Sequence, residues 1–566
     1  MIIEHTMNRK IPRLCIYAGI LLVAATLRFY KLGDVPVGVT NDELGYISNA
    51  YSISQTGRNV FGEFLTFFTY FGHGFPYMPV PMYLQAIVLH VLPLSAFSGR
   101  FLNALLGTGS VLLVGWVARK LSGKDSLAYA AALALAISPW HVFFSRTAYD
   151  TVVASFFYLL FFALSIRYIW KQRFSLWPIL CLLLALFSYR GMTPVAFGLV
   201  AILIWYAWSK VHVNRKYIVI FLLCNAWVLS LFMIAAKLES PRGFIAEVGV
   251  DISSIAKNLE YAMRDSRGPH MVKRIFLNKP IALLSRWLDQ YIGGYDGGML
   301  FLHGEGSQSY SMWMRGKWYV LDAIFLLIGL LFLFKTPSLF SFGLISLGLF
   351  VIAGLPGLVG GAPYGSRNFF LTFPAAFLIG SGWVGCLQTK KIRTVVITIL
   401  IVLYGYAVSH FVFDYFERYA HQRSEVWFGS MKTVSAIIEK EKTNRDIIWA
   451  GANFPDFLQY AFYTSLDPRQ VQRVWQTRSE TPNQIYHWNK LALHSMCTPE
   501  SLAVNFENIQ QPLFIVRDGC WKDMAGEEII RDFYRNPLWH VMQIDSIKSA
   551  ATQAKLQSVS MPVHKL

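Results

Sequence analysis

Two adjacent carboxylates, Asp42 and Glu43, are the residues of this chain whose types and spacing best suit acid–base chemistry. They follow the first apolar segment and lie in a predicted external loop at 37–46. Carboxylates held at the outer edge of a bilayer indicate proton transfer on a membrane-anchored substrate. The same spacing also predicts a structural feature, because Thr40 and Glu43 match a capping box that opens a helix running to about Gln55. Local spacing alone does not distinguish a catalytic role for this pair from a helix-capping role.

Another aspartate and three arginines fall on the same predicted side of the membrane. Asp150 begins a predicted span, Arg146 lies just before it, and Arg190 and Arg367 lie at the ends of other spans. Basic residues are normally depleted on the outer side, so each of these arginines needs a reason. Arginine binds phosphate through a rigid two-pronged fork, although a single one at a helix end can also reach a lipid headgroup or water. Three arginines beside paired carboxylates favour a phosphate-binding site.

The composition predicts a polytopic membrane protein. Of the 566 residues, 54% are hydrophobic and only 15% are charged, whereas a soluble chain of this length needs more polar surface. The formal net charge of +18 comes from short basic clusters between apolar runs, which is typical of cytoplasmic loops rather than of nucleic-acid binding. All basic clusters fall on one side, the cytoplasm, when eleven spans are placed at 13–30, 101–118, 126–144, 150–168, 175–189, 192–208, 217–236, 318–335, 338–360, 368–388 and 393–412.

This arrangement predicts a transmembrane domain at 1–415 with two long external loops, at 31–100 and 237–317. The apolar stretch at 81–97 is not counted as a span, because it would place every later basic connector on the wrong side. It is predicted to be an interfacial or re-entrant helix instead.

The C-terminal part, 416–566, is predicted to be an external α/β domain. Its composition becomes more polar, and the short apolar runs at 446–450 and 512–516 indicate buried strands. Cys497 and Cys520 lie in this part and could form one disulfide if it faces an oxidising compartment.

Four stretches occur in an order that resembles a known family. They contain an external Asp-Glu pair, a span with a basic turn, a second acidic site and a late Arg-aromatic-Pro segment, at Arg28–Glu43, Gly99–Gly123, Ser138–Asp150 and Ser366–Pro374. Over about 10–415 the chain resembles the membrane glycosyltransferases of the C-type fold that use polyprenyl-phosphate sugars. These include bacterial relatives of protein O-mannosyltransferases and the aminoarabinose transferases that act on lipid A.

The resemblance implies transfer of a sugar from a polyprenyl-phosphate donor to a hydroxyl of a glycan, lipid or protein. The reaction would take place on the outer face of the bacterial inner membrane, among membrane lipids and with no nucleic-acid partner. Asp42 is predicted to be the general base, and the three outer arginines are predicted to stabilise the leaving phosphate. Glu43 and Asp150 are predicted either to orient the site or to hold Mg2+ or Mn2+.

The first external loop supplies two candidate substrate-binding residues, His73 and Tyr77. His73 stands between two glycines and alternatively fills a tight turn. The sequence has no His-x-x-x-His or Cys-x-x-Cys pair, so a zinc site of the usual spacing is not predicted.

Two other classes of protein remain possible on the sequence. The first is a transporter or flippase of lipid-linked glycans, which usually places ionisable residues near the middle of the membrane. The second is a non-catalytic anchor that displays the C-terminal domain. The predicted spans are almost free of charge at their centres, which favours an enzyme at the membrane interface.

Overall fold

The protein is described by a computed structural model that covers residues 13–70, 76–173, 175–209, 215–239, 252–312, 314–479, 485–496, 512–520 and 528–543. The described part is mainly helical and has one small C-terminal sheet, so the predicted combination of a helical membrane protein with a C-terminal α/β part is confirmed.

The α-helices follow from the apolar runs and from the capped turns described below. In chain order they are α1 Arg13–Phe29, α2 Asn41–Thr56, α3 Pro79–Val91, α4 Ala96–Ser122, α5 Asp125–Ile137, α6 Pro139–Ser145, α7 Asp150–Lys171, α8 Trp177–Leu186, α9 Thr193–Ser209, α10 Arg215–Glu239, α11 Ile252–Asp265, α12 His270–Phe276, α13 Lys279–Gly293, α14 Val320–Lys335, α15 Phe340–Ile352, α16 Leu355–Gly360, α17 Tyr364–Arg367, α18 Thr372–Cys386, α19 Arg393–Phe413, α20 Ala420–Gln422, α21 Ser430–Glu441, α22 Phe454–Thr464 and α23 Pro468–Gln476.

The strands form one short hairpin and one mixed sheet. They are β1 Thr69–Tyr70, β2 Pro76–Tyr77, β3 Ile447–Ala450, β4 Ile485–Trp488, β5 Leu491–His494, β6 Leu513–Arg517, β7 Glu528–Arg531 and β8 Pro537–Gln543. The hairpin pairs β1 with β2, and the six-stranded sheet has the order β4-β5-β3-β6-β8-β7. Strand β3 is parallel to both of its neighbours, and the other pairs are antiparallel.

Among the described residues, six helices are long and apolar enough to cross a membrane. A seventh is added if α5 and α6, which are bent by 60° at their junction, form one span. The chain is therefore a multi-pass membrane protein, as predicted. The eleven predicted spans all fall on helices, but their number is not confirmed, because α1, α8 and α14 have only 17, 10 and 16 residues and a straight crossing takes roughly 20.

The stretch predicted to be interfacial or re-entrant forms α3. At 13 residues this helix is also shorter than a straight crossing requires. Its interfacial or re-entrant position stays a prediction.

The chain divides into two compact units. The first unit comprises Met1–Tyr30 and Asn103–Phe411, and the second comprises Lys31–Leu102 and Val412–Leu566. The second unit thus combines the predicted first external loop with the C-terminal part, which differs from the predicted division at 415. A separate external domain at 416–566 stays a prediction.

In the first unit, the candidate span that contains α18 is the most enclosed. Of its 18 residues, Phe369–Cys386, 89% are buried inside the protein. Small residues let its neighbours approach closely. A Cβ atom on Gly329 of α14 would lie 1.9 Å from the Leu378 carbonyl oxygen, and one on Gly382 would lie 2.2 Å from that of Phe325. Close backbone approach through small residues is how helices associate where lipid removes the hydrophobic driving force.

In the second unit, the predicted strands at 446–450 and 512–516 are confirmed as β3 and β6. Strand β3 and the first four residues of β6 are apolar and buried, as expected of strands that the sheet covers on both faces. Ile448, Phe514 and Met542 form one of the cores against this sheet.

The cysteines of the membrane helices do not pair. Cys15, Cys181, Cys224 and Cys386 are free, whereas Cys520 is disulfide-bonded. Cys497 lies outside the described residues, so the proposed pairing of these two cysteines stays a prediction.

Candidate active site

The Asp42–Glu43 pair opens α2 in the second unit. Thr40 Oγ1 accepts a hydrogen bond from the Glu43 amide at 3.3 Å, and Glu43 Oε2 accepts one from the Thr40 amide at 3.2 Å. The predicted capping box is therefore confirmed. It separates the two carboxylates, because Glu43 is fully buried whereas Asp42 is exposed. Of the two, only Asp42 is accessible to a substrate.

Glu43 is held by Arg100, a fully buried arginine near the start of α4 in the same unit. Arg100 Nε and Nη2 donate to the two carboxylate oxygens at 3.0 and 3.1 Å. Its other donors bind the carbonyl oxygens of Leu32, Pro36 and Gly38 at 3.4, 2.9 and 2.6 Å. A buried charge is tolerated when it is paired and fully hydrogen-bonded. This arrangement fixes the loop before α2 and the turn that carries the exposed carboxylate.

Tyr77, a predicted substrate-binding residue, lies against the same turn. Its hydroxyl donates to the Asn41 carbonyl oxygen at 3.4 Å, and its ring packs edge-on against Tyr46 with centroids 4.8 Å apart. Gly45 makes this possible, since a Cβ atom there would lie 2.1 Å from the Tyr77 ring. His73 lies outside the described residues, and its role stays a prediction.

In the first unit, Arg146 is engaged at the end of a helix. It is fully buried, and its Nη1 donates to the carbonyl oxygens of Leu27 and Arg28 in the last turn of α1 at 3.1 and 3.0 Å. Arg28 in turn donates to Leu135 and Ala136 at the end of α5 at 3.1 and 3.0 Å. Such terminal carbonyls have no partner within their own helix and favour a cation. Arg146 therefore has a structural task that its sequence position did not indicate.

Thr151 connects three distant segments of the first unit. Its hydroxyl donates to the Ser366 carbonyl oxygen at 2.6 Å and lies 3.9 Å from the Met192 sulfur. Ser155, one turn further along α7, also contacts the Met192 sulfur at 3.3 Å. The start of α7, the 3₁₀ turn that ends at Met192 and the helix α17 therefore meet at one threonine.

These three segments carry three of the predicted site residues. Asp150 directly precedes Thr151, Arg190 begins the 3₁₀ turn, and Arg367 directly follows Ser366. Asp150 and Arg367 are half-buried, and Arg190 is buried. The tertiary structure of the first unit thus gathers segments that bear one carboxylate and two guanidinium groups.

Arg367 packs closely against helix α16. A Cβ atom on Gly360 would lie 1.9 Å from its Nη1, so only glycine leaves room for the guanidinium group. Among the described residues, the buried Nε of Arg367 and both amide atoms of the fully buried Asn368 have no hydrogen-bond partner. Unsatisfied buried polar atoms of this kind need a ligand or ordered water.

A buried ion pair, Glu305 with Lys317, holds the segment before Arg367. Glu305 Oε2 accepts hydrogen bonds from Lys317 Nζ at 2.6 Å and from the Gly365 amide at 2.8 Å. Trp140 Nε1 donates to the Gly365 carbonyl oxygen at 3.0 Å, and its ring centroid lies 4.6 Å from the ammonium. We call this arrangement the Glu305–Lys317 clamp. It fixes both backbone polar groups of the residue two positions before Arg367.

The described residues do not provide an obvious set of ligands for the predicted divalent metal. No group of three metal-binding side chains occurs among the described residues. Both oxygens of Glu43 are engaged by Arg100. We therefore derive no step through a metal, and the role of Mg2+ or Mn2+ stays a prediction.

Sequence reasoning did not assign roles to Arg100, Thr151, Glu305 or Lys317. Arg100 carries the same signal as the other outer arginines, since it stands at the predicted outer end of a span, and it could have been found in this way. The other three carry no local signal, because their partners are distant in the chain.

Comparisons with known proteins give a likeness in structure but none in sequence. No protein-family model matches, and no curated protein matches significantly. Similar solved structures include the archaeal oligosaccharyltransferase AglB from Archaeoglobus fulgidus in complex with an inhibitory peptide and a dolichol-phosphate. It has 11% identity and a TM-score of 0.49 over 80% of this chain. The chain spans 63% of the length of that protein.

A second likeness is to ArnT from Cupriavidus metallidurans bound to undecaprenyl phosphate. It has 12% identity and a TM-score of 0.39 over 94% of this chain and 97% of that one. Both likenesses agree with the resemblance noted from the sequence. Because both scores are below 0.5, we argue the function from this chain's own residues.

Proposed function

We propose that this protein is a membrane glycosyltransferase that transfers a sugar from a polyprenyl-phosphate donor to a hydroxyl group of a glycan, lipid or protein. The reaction would take place on the outer face of a bacterial inner membrane. The observation that carries the proposal is the meeting, at Thr151, of the segments that bear Asp150, Arg190 and Arg367. Guanidinium forks suit a phosphate group, and the accessible Asp42 on a capped turn suits a general base.

In the proposed reaction, Asp42 takes the proton of the acceptor hydroxyl while the acceptor oxygen attacks the anomeric carbon. The bond from that carbon to the phosphate oxygen breaks in the same step, and the polyprenyl phosphate leaves with the electron pair. Attack opposite the leaving group inverts the anomeric configuration. Glycosidases need a second carboxylic acid to protonate a poor leaving group, whereas a phosphate leaves as an anion and requires positive charge instead.

Arg190 and Arg367 would supply this positive charge. Preorganised donors aimed at a developing anion are among the largest contributions to catalysis. Asp150 would orient the guanidinium groups, since its segment is joined to both of theirs through Thr151. Glu43 would position Asp42 through the capping box and its pairing with Arg100.

The proposal is tested with purified protein in detergent and a labelled polyprenyl-phosphate sugar. Transfer to an acceptor in detergent needs no second compartment, so turnover there separates an enzyme from a flippase. If the sugar lipid crosses reconstituted vesicles but is not turned over with any acceptor, the enzyme assignment is wrong.

Arg367→Ala is expected to lower kcat/KM for the lipid-phosphate donor by about 10²- to 10³-fold, the usual effect of removing one anion-stabilising donor. The reason is that its fork contacts the phosphate and not the acceptor. Steady-state kinetics with donor and acceptor varied separately would measure this. A change confined to the KM of the acceptor would contradict the assignment.

Gly360→Ala provides a second variant that keeps the charge. The new methyl group displaces the Arg367 guanidinium, which can move because it ends a flexible side chain. We expect the same donor-specific loss as for Arg367→Ala, with little change in stability. Arg264→Ala serves as the matched control, because Arg264 is 71% exposed and pairs with Glu260 of its own helix.

Raising the pH above about 8 is expected to weaken the use of the donor. Burial lowers the pKa of Lys317 to about 8, and the neighbouring Glu305 carboxylate opposes this shift. The ammonium group that completes the clamp is therefore lost above this pH, which frees the Arg367 segment. We expect the KM for the donor to rise above pH 8, and this rise to be absent in Lys317→Arg, since arginine stays charged.

Stability should respond to pH in the opposite direction. The pKa of Lys317 in the folded protein lies below its ordinary value of 10.5, so the unfolded chain binds more protons between pH 8 and 10.5. The contribution of Lys317 to folding stability therefore rises across this window. Thermal unfolding of the wild type and of Lys317→Met at several pH values would check this rise in stability. If Tm depends on pH in the same way in both proteins, another group is responsible for the titration.

A further inference from the structure

An apolar groove in the first unit is used by none of the steps above. It lies between α1, α5, α18 and α19 and has a volume of about 490 Å³, within the range of about 300–1,000 Å³ that is typical of ligand sites. Ile20, Leu133, Trp383 and Ile401 contribute one wall each. Ile401 is 67% and Leu133 37% exposed, so the groove is open along its length.

The length of the groove along α19 is close to the thickness of one leaflet of a bilayer. Along α19 its lining runs from Arg393 to Tyr404, and these eleven steps correspond to about 17 Å of helix. Half of the hydrocarbon core of a bilayer is about 15 Å thick. A straight acyl chain of a single leaflet therefore matches the groove in both polarity and length.

One end of the groove is cationic. Arg393 and Ser126 line this end, and Arg13 and Arg119 lie beside it, each 2.9 Å from a different oxygen of Asp125. Arg13 and Arg119 share this one carboxylate, and Arg393 adds a third cation, which leaves a net positive charge at this end. At the other end, the Tyr404 hydroxyl donates to Asp322 at 2.7 Å and offers no cation.

The Arg393 end of the groove is remote from the proposed phosphate site. Trp383 lies eleven residues beyond Thr372, where α18 begins, which is roughly 17 Å along the helix axis. Arg367 precedes the start of this helix. A lipid whose phosphate lies at this end would therefore be distinct from the donor.

We propose that the groove binds one acyl chain of an anionic glycerophospholipid from the leaflet on the Arg393 side, with its phosphate held by Arg393. The apolar walls accept the chain, and the uncompensated arginines select a lipid whose headgroup carries a net negative charge. A lipid bound in this site would exchange more slowly than the lipids of the surrounding bilayer.

Native mass spectrometry of the delipidated full-length protein tests the proposal. Phosphatidylglycerol and phosphatidylcholine with the same chains are titrated separately. We expect one phosphatidylglycerol to bind in preference to phosphatidylcholine. Arg393→Gln should weaken phosphatidylglycerol binding by about tenfold, as the loss of one charge-assisted hydrogen bond predicts, and should leave phosphatidylcholine binding unchanged.

Leu133→Trp tests the chain-binding part separately, because the larger side chain fills the groove and should weaken both lipids. The matched controls are Lys391→Gln, which removes a charge outside the groove lining, and Val402→Phe, which adds bulk on an exposed face of α19 (Val402 is 62% exposed). Equal binding of the two lipids by the wild type would overturn the proposal. So would an effect of Lys391→Gln as large as that of Arg393→Gln, since it would indicate diffuse surface charge and no defined site.

Discussion

Asp42→Asn is expected to reduce sugar transfer by about 10²- to 10⁴-fold, the usual contribution of a general base. The amide cannot accept the proton of the acceptor hydroxyl, but it keeps the shape of the side chain. Donor binding should stay near the wild-type value because the proposed phosphate-binding arginines are unchanged. Initial rates with labelled donor, together with donor binding measured separately, would check both parts.

In this structure, Asp42→Asn changes the proposed base without changing the cap of the helix that carries it. The capping box of α2 is formed by Thr40 and Glu43, so Asp42→Asn leaves it intact. The substitution removes the favourable interaction of an exposed first-turn carboxylate with the helix dipole, worth about 0.3–1 kcal/mol. Asn41→Ala, at the neighbouring exposed position, is the matched control and should keep full activity. Substantial activity in Asp42→Asn would remove Asp42 from the role of base.

Arg100→Ala is expected to destabilise the protein by about 3–5 kcal/mol, because it leaves the Glu43 carboxylate buried without its cation. It also removes the donors that hold the carbonyl groups of Leu32, Pro36 and Gly38. The loop before α2 and the capped turn should loosen together. Thermal unfolding in detergent would show the loss, and limited proteolysis should map the new cleavage sites to residues 31–45.

A double variant separates the ion pair from the rest of the arrangement. Arg100→Ala combined with Glu43→Gln should be less destabilised than the sum of the two single variants, since removing both charges leaves none unpaired. Arg58→Ala, an exposed arginine of the same unit, is the control and should change stability little. Strictly additive effects would show that the two charges do not interact in the folded protein.

The features that the sequence predicted depend on patterns within short segments. Long apolar runs indicated the membrane helices, since lipid leaves the backbone few alternatives to a helix. Short apolar runs in a polar context indicated β3 and β6. The interval from Thr40 to Glu43 predicted the capping box. In each case a few consecutive residues contain the whole physical cause, so no knowledge of distant partners was needed.

The number of straight spans was harder to predict because helix breaks depend on packing. The predicted span at 126–144 is bent by 60° between α5 and α6. Arg28, which is more than 100 residues away in the chain, donates to the carbonyl oxygens of Leu135 and Ala136 at the end of α5. A break of this kind is stable only where the tertiary structure supplies such donors.

The sequence by itself determined that this is a helical membrane protein with an α/β C-terminal part, and it identified carboxylates and arginines whose chemistry suits glycosyl transfer. Only the tertiary structure decided which of them are exposed and which are held by other residues. Arg100 buries Glu43 and leaves Asp42 exposed, helix ends engage Arg146, and Thr151 joins the segments of Asp150, Arg190 and Arg367. The accessibility and partners of an ionisable side chain are set by long-range contacts, which local spacing does not encode.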